Sequence, residues 1–160
     1  LEVLNKVETK KGDSFLLEAG TIHAIGPGNV ICEIQQNSNL TYRLYDYGRY
    51  DKYGNLRELH IDKAMEVVKT NPNMVFNSNI GIDNYREIGS CKYFETVHFI
   101  SKDEVYLFAK ENYHVINFLD GKGKIENLEY KKGDTFLVPA NYGTYKIIGK
   151  CEFLRTISKL

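Results

Sequence analysis

In the stretch Gly20-Thr21-Ile22-His23-Ala24-Ile25 one imidazole is followed ten residues later by the carboxylate of Glu33, and ten later again by the guanidinium of Arg43. Neighbouring strands of a barrel can bring such a trio around one small ligand. A neutral ring nitrogen of His23 can ligate a metal while a second acceptor fixes the other nitrogen; the alternative is a histidine satisfied within a turn. Glu33 can relay a proton or orient a substrate hydroxyl. Arg43 can stabilise a developing oxyanion or hold a phosphate, because the planar guanidinium fork suits both. The alternative for Glu33 and Arg43 is an ion pair with each other. Arg49, which follows Gly48, is a further candidate for phosphate contact, against a solvated loop position. His60, at the start of a helical pattern, and His98 and His114, in apolar strands, read as structural.

These side chains need strands to carry them. Alternate residues of a strand share a face, so Ile31, Glu33 and Gln35 are expected to point one way, and Arg43, Tyr45 and Tyr47 to share another face. Burying Glu33 and Arg43 in an ordinary core would cost several kcal/mol per unpaired ion. A barrel mouth holding a polar ligand removes that difficulty. Strands are expected at 21–25, 30–36, 40–47, 92–100, 105–109, 114–119, 124–128 and 152–158, with Asp120-Gly121 as a hairpin turn. One helix is expected from about Glu58 to Lys69, where Ile61, Ala64, Met65 and Val68 recur at helical spacing and Asn71-Pro72 stops it. The Asn-rich stretch from Asn71 to Ser90 reads as a passage between modules.

An internal repeat organises the chain. Lys10-Lys11-Gly12-Asp13-Ser14-Phe15-Leu16-Leu17-Glu18-Ala19 returns as Lys131-Lys132-Gly133-Asp134-Thr135-Phe136-Leu137-Val138-Pro139-Ala140, identical at seven of ten positions at an offset of 121. That period is too long for a solenoid and fits two related β modules. In each copy the Gly-Asp pair (Gly12 or Gly133) is expected to make a turn, a short apolar strand follows, and a second turn leads into another strand at 21–25 or 143–148. In register His23 falls opposite Thr144, so only the first module retains the candidate ligand. The expected fold class is all-β, as barrel or jelly-roll modules with the first incomplete and one helix around 58–69. Residues 1–72 form the first module and 73–160 the second.

With 160 residues, 42% hydrophobic, a sizeable core is affordable in one or two domains. Basic and acidic residues balance at 21 each, so no net field favours nucleic acid or an anionic membrane. Cys32, Cys91 and Cys151 are odd in number and widely spaced, which suits reduced thiols in a cytoplasmic protein. No apolar run approaches the roughly 20 residues of a membrane span. The chain opens at Leu1 without methionine and is expected to be a piece of something longer.

The run Ala19 to Ile25, then Glu33-Ile34-Gln35-Gln36-Asn37-Ser38-Asn39-Leu40-Thr41-Tyr42-Arg43-Leu44-Tyr45-Asp46-Tyr47, then Glu58-Leu59-His60-Ile61-Asp62-Lys63-Ala64, resembles the type I mannose-6-phosphate isomerases of low-GC Gram-positive type. The segment Lys132 to Ala140 is similar to the closing cupin of those enzymes. The resemblance implies cupin barrels and zinc-dependent interconversion of mannose 6-phosphate and fructose 6-phosphate through an enediol. It matches His23 to a zinc ligand, Arg43 to the active-site arginine and Glu33 to a carboxylate near the substrate. The family's other zinc ligands, a Gln-x-His pair and a glutamate, belong to an N-terminal half that these residues do not contain. The resemblance thus implies a C-terminal half whose zinc site is incomplete and whose partner is the missing N-terminal half. A non-catalytic sugar-binding or structural cupin pair is the alternative. A self-contained metal cupin fits less well, since His23 is followed by Ala24-Ile25 rather than by a second histidine two residues on.

Overall fold

The computed structural model describes residues 4–71, 74–77 and 84–159. Among them lie strands β1 (Ser14–Leu17), β2 (Met74–Asn77), β3 (Tyr85–Ser90), β4 (Phe94–Ser101), β5 (Glu104–Ala109), β6 (His114–Ile125), β7 (Leu128–Lys131), β8 (Thr135–Val138), β9 (Gly143–Ile148) and β10 (Cys151–Ser158), and one helix, α1 (Ile61–Val67). The described residues pack as two compact units, one within Leu17–Met74 and the other within Leu1–Leu16 and Val75–Leu160.

The larger unit is a curled antiparallel sheet in the order β3-β4-β10-β6-β9-β5, with β7 and β8 also pairing β6. The first half of β6 lies between β10 and β8, and its second half meets β7 and β9. Asp120-Gly121, expected as a hairpin turn, lies instead inside this one long strand, so the two strands expected at 114–119 and 124–128 are joined. Gly121 does take a left-handed conformation (φ 90°). Pairing with β10 up to Gly121 and with β7 from Lys122 nevertheless carries the chain on as one strand, and a register shift at Glu152/Phe153 of β10 absorbs the irregularity. A Cβ at Gly121 would collide with the Lys150 carbonyl, and one at Gly123 with that of Ile148. Glycine at both positions lets β6 bend closely beneath the β9–β10 connection. The chain turns back only at Glu126, with φ 50°.

Cross-strand register brings the aromatic core together. Phe153 stands opposite Phe99 on one side and Phe118 on the other. Phe99 and Phe153 stack at 5.0 Å, Phe118 and Tyr130 at 3.6 Å, and Phe136 meets Phe118 edge-on. Ile116, Ile147 and Ala109 fill the remainder, each wholly buried. Thr96 and Thr156, facing each other across β4 and β10, satisfy their buried hydroxyls mutually at 3.0 Å.

The repeat is visible as geometry. In both copies the amide of the first lysine donates to the aspartate carboxylate three residues on, Lys10 to Asp13 at 2.8 Å and Lys131 to Asp134 at 2.9 Å, around a left-handed Gly12 or Gly133. The second turn is copied too: Thr21 N–H donates to Glu18 and Tyr142 N–H to Pro139, with left-handed Gly20 matched by left-handed Asn141. Beyond these turns the copies part. Gly143–Ile148 forms β9 because β5 lies alongside it, whereas 21–25 forms no strand.

The strands expected at 30–36 and 40–47 are likewise absent among the described residues. Strand propensity without a neighbouring ladder leaves backbone groups unpaired, and Val30, Leu40 and Tyr45 are exposed. The helix is shorter than expected. Glu58 and Leu59 precede His60, the residue capping its start, and Val68 is already extended (ψ 137°), so it ends before Asn71; Pro72 lies outside the described residues. The passage expected at 71–90 contains β2 and β3, with 72–73 and 78–83 outside the described residues.

Candidate functional site

The smaller unit holds all of the candidate side chains. Its backbone doubles back between Arg43 and His60 as an irregular hairpin. Asp51 forms the tip by accepting the amides of Tyr53 (2.8 Å) and Asn55 (2.9 Å), and multiple hydrogen bonds to it, first from Asn55, hold its carboxyl below the usual carboxylate range. Tyr50 and Leu56 form a single bridge, and the Arg57 amide donates to the Arg49 carbonyl at 3.1 Å. At the open end the His60 amide donates to the Arg43 carbonyl at 2.7 Å, and the Arg43 amide donates to His60 Nδ1 at 3.2 Å.

His23 is exposed, and its Nδ1 lies 2.9 Å from the Thr21 carbonyl. A carbonyl only accepts, so Nδ1 carries the proton and the lone pair of Nε2 is left for another partner. Glu33 is exposed and Arg43 half-buried. Among the described residues no hydrogen bond or ion pair joins any two of His23, Glu33 and Arg43. The alternative of a Glu33–Arg43 ion pair is therefore not realised: the strands that would have set those residues side by side do not form. Arg49 rests over the Tyr47 ring at 5.4 Å, with Tyr47 and Gly48 both left-handed (φ 56° and 66°).

The carboxylate–guanidinium pair that does form was not foreseen. Arg57 grips the nearly buried Asp46 through two bonds, Nε to Oδ2 at 2.6 Å and Nη2 to Oδ1 at 2.8 Å. The pair floors a concavity of about 290 Å³ that Tyr45, Arg49, Leu56 and Leu59 also line. Its sequence signal is the turn Asp51-Lys52-Tyr53-Gly54-Asn55, which folds Asp46 back toward Arg57.

Among the described residues no three His, Cys, Asp or Glu side chains cluster closely enough to hold a metal. His98 and His114, both buried in the larger unit, are committed elsewhere. His98 Nε2 meets Glu152 at 3.0 Å, and Glu152 also binds Lys11 at 3.2 Å. His114 Nδ1 meets the Tyr145 hydroxyl at 2.7 Å. Burial pushes both imidazoles down, His114 to about 4, with the Arg155 charge adding to the effect there. Cys32, Cys91 and Cys151 are free thiols, and no described helix is long and apolar enough to cross a membrane.

No family model matches the chain. The mannose-6-phosphate isomerase ManA of Bacillus subtilis is 36% identical over 94% of this chain and 50% of its own length. A mannose-6-phosphate isomerase of Streptococcus mutans is 30% identical over 98% of this chain and 52% of its own. A crystal structure of the mannose 6-phosphate isomerase from Bacillus subtilis matches 76% of this chain and 41% of that one, with a TM-score of 0.61 and 28% identity. The curled antiparallel frame with one helix among the described residues is thus of the all-β class expected. The chain is homologous to these isomerases and spans about half the length of the curated relatives it matches.

Proposed function

We propose that this chain, as a homologue of mannose-6-phosphate isomerases, supplies the C-terminal half of such an enzyme and takes part in interconverting mannose 6-phosphate and fructose 6-phosphate. The observation that carries the reading is the 36% identity to ManA over 94% of the chain. Residues 1–72 contribute the catalytic part and 73–160 a metal-free barrel, and the partner that completes the site is the N-terminal half of the same enzyme. The setting is the cytoplasm, in keeping with three free thiols.

Isomerisation moves a proton between two adjacent carbons of the opened sugar, and negative charge builds on oxygen as an enediol forms. Arg43 stabilises that charge. Its backbone is pinned on both sides while its guanidinium has no ion-pair partner among the described residues, so the positive charge is not already neutralised. Glu33, exposed and unpaired among the same residues, accepts hydrogen bonds from sugar hydroxyls. Arg49, steadied by the Tyr47 ring, contacts the phosphate.

Zinc is the cofactor that the family resemblance implies, and a bound zinc would supply Lewis-acid polarisation of sugar oxygens. The described residues do not make a zinc centre: His23 offers one nitrogen, and a catalytic zinc takes about three protein ligands. His23 is then one ligand of a site whose remaining ligands come from the other half.

The test compares isomerase activity and zinc content of this chain alone with the same chain joined to an N-terminal half. Zinc retention and turnover only in the joined protein are expected. Stoichiometric zinc and turnover by the isolated chain would refute the divided site. Saturable sugar-phosphate binding without turnover in both forms would favour the non-catalytic cupin pair.

A further inference from the structure

We propose that His60 is a positioning residue for Arg43. The inference rests on the role given to Arg43 above and adds what holds that residue in place.

Arg43 belongs to a stretch without a sheet ladder, where nothing regular fixes the direction of its side chain. His60 supplies the missing pairing. Its own amide donates to the Arg43 carbonyl at 2.7 Å, and its ring accepts the Arg43 amide at 3.2 Å. The two bonds reproduce the paired exchange between opposite residues of an antiparallel ladder, with an imidazole nitrogen in place of the second carbonyl. A backbone N–H only donates, so Nδ1 is the bare nitrogen and the ring proton sits on Nε2, which faces Glu58 Oε2 at 3.7 Å. Tyr42, the residue before Arg43, lies against the same ring with centroids 6.1 Å apart.

The far side of His60 is anchored as well. Its carbonyl accepts the Ala64 amide at 2.9 Å, and Ala64 is the buried residue of α1. His60 therefore couples the backbone of Arg43 to the helix. The helix start has no side-chain cap, since the ring is directed to Arg43 instead. That departs from the usual use of a side chain at this position.

The experiment uses two substitutions in the isomerase-active protein. His60→Leu removes the acceptor, whereas His60→Asn places an amide oxygen near the former Nδ1. Misplacement of a reacting group by about 1 Å can cost up to about a hundredfold in rate. His60→Leu should lower kcat by about tenfold to a hundredfold at little-changed KM, with His60→Asn within about threefold of the parent. Amide hydrogen exchange at Arg43 is read in parallel: fast in His60→Leu, protected in the parent and in His60→Asn. Asn also favours helix starts, so a higher melting temperature without protection of the Arg43 amide marks capping alone and overturns the proposal. Equal loss of kcat in both variants, or loss through KM only, overturns it too. If Arg43→Ala turns over normally while its amide still follows the His60 series, the clamp exists but the role assigned to Arg43 fails, and the positioning function falls with it.

Discussion

Acidification should weaken the larger unit through His114. This imidazole is 3% exposed, and burial, with the Arg155 charge second, pushes its pKa from 6.5 down to about 4. The sign follows from proton counting. Above about 6.5 the ring is neutral whether the chain is folded or unfolded, and it contributes no pH dependence. Between about 6.5 and 4 the unfolded chain takes up a proton that the folded chain refuses, so stability falls as pH falls. At about 1.4 kcal/mol per tenfold, the drop from 6.5 to about 4 amounts to about 3 kcal/mol, lost in full below pH 4. Urea unfolding at several pH values between 7 and 4 measures this against His114→Asn. That variant keeps an acceptor for the Tyr145 hydroxyl but cannot titrate. Its stability at pH 7 will be lower, yet its decline toward pH 4 should be shallower by about that amount. Contributions from His98 and the carboxylates are common to both proteins and cancel. Parallel curves would refute the reasoning. Arg155→Met should recover the smaller share of the effect, because burial is the larger cause.

Three further outcomes are expected. Gly123→Ala drives a methyl into the Ile148 carbonyl and to 2.8 Å from the Tyr130 hydroxyl, and thermal unfolding should register at least the upper part of the about 1–3 kcal/mol typical of overpacking. Asp46→Asn leaves the Arg57 fork without its charge partner, and urea unfolding should register about 2 kcal/mol, a loss that Arg57→Lys does not mimic in geometry because an ammonium cannot make both bonds. Arg43→Ala in the isomerase-active protein should lower kcat by about 10²–10³, the worth of one oxyanion donor; near-normal turnover removes Arg43 from the mechanism.

What the sequence discloses depends on whether a segment's partner lies in the same chain. The strands at 105–109, 143–148 and 152–158 were legible from alternation and turn residues, and each has a neighbour here: β5 pairs β9, and β10 pairs β4 and β6. The segments at 21–25, 30–36 and 40–47 carry the same kind of pattern and form no ladder among the described residues, because pairing is a property of two segments. The turns at Gly12, Gly20 and Gly133 were readable since a four-residue code is self-contained. Asp120-Gly121 reads as a turn for the same reason, and tertiary pairing overrides it. In the smaller unit His23, Glu33 and Arg43 stand out by type. The Asp46–Arg57 grip and the His60 clamp do not, because both need the chain to have already folded back on itself.

One strand, β6, is laddered to four others: β10, β8, β7 and β9. Without it, β3, β4 and β10 would part company with β5 and β9, while β7 and β8 would retain no ladder among the described residues. Such a hub leaves little room for piecemeal melting. The sheet should come apart in a single cooperative event, with the slowest-exchanging amides gathered along His114–Ile125 and fraying concentrated at the margins, β3 and β5.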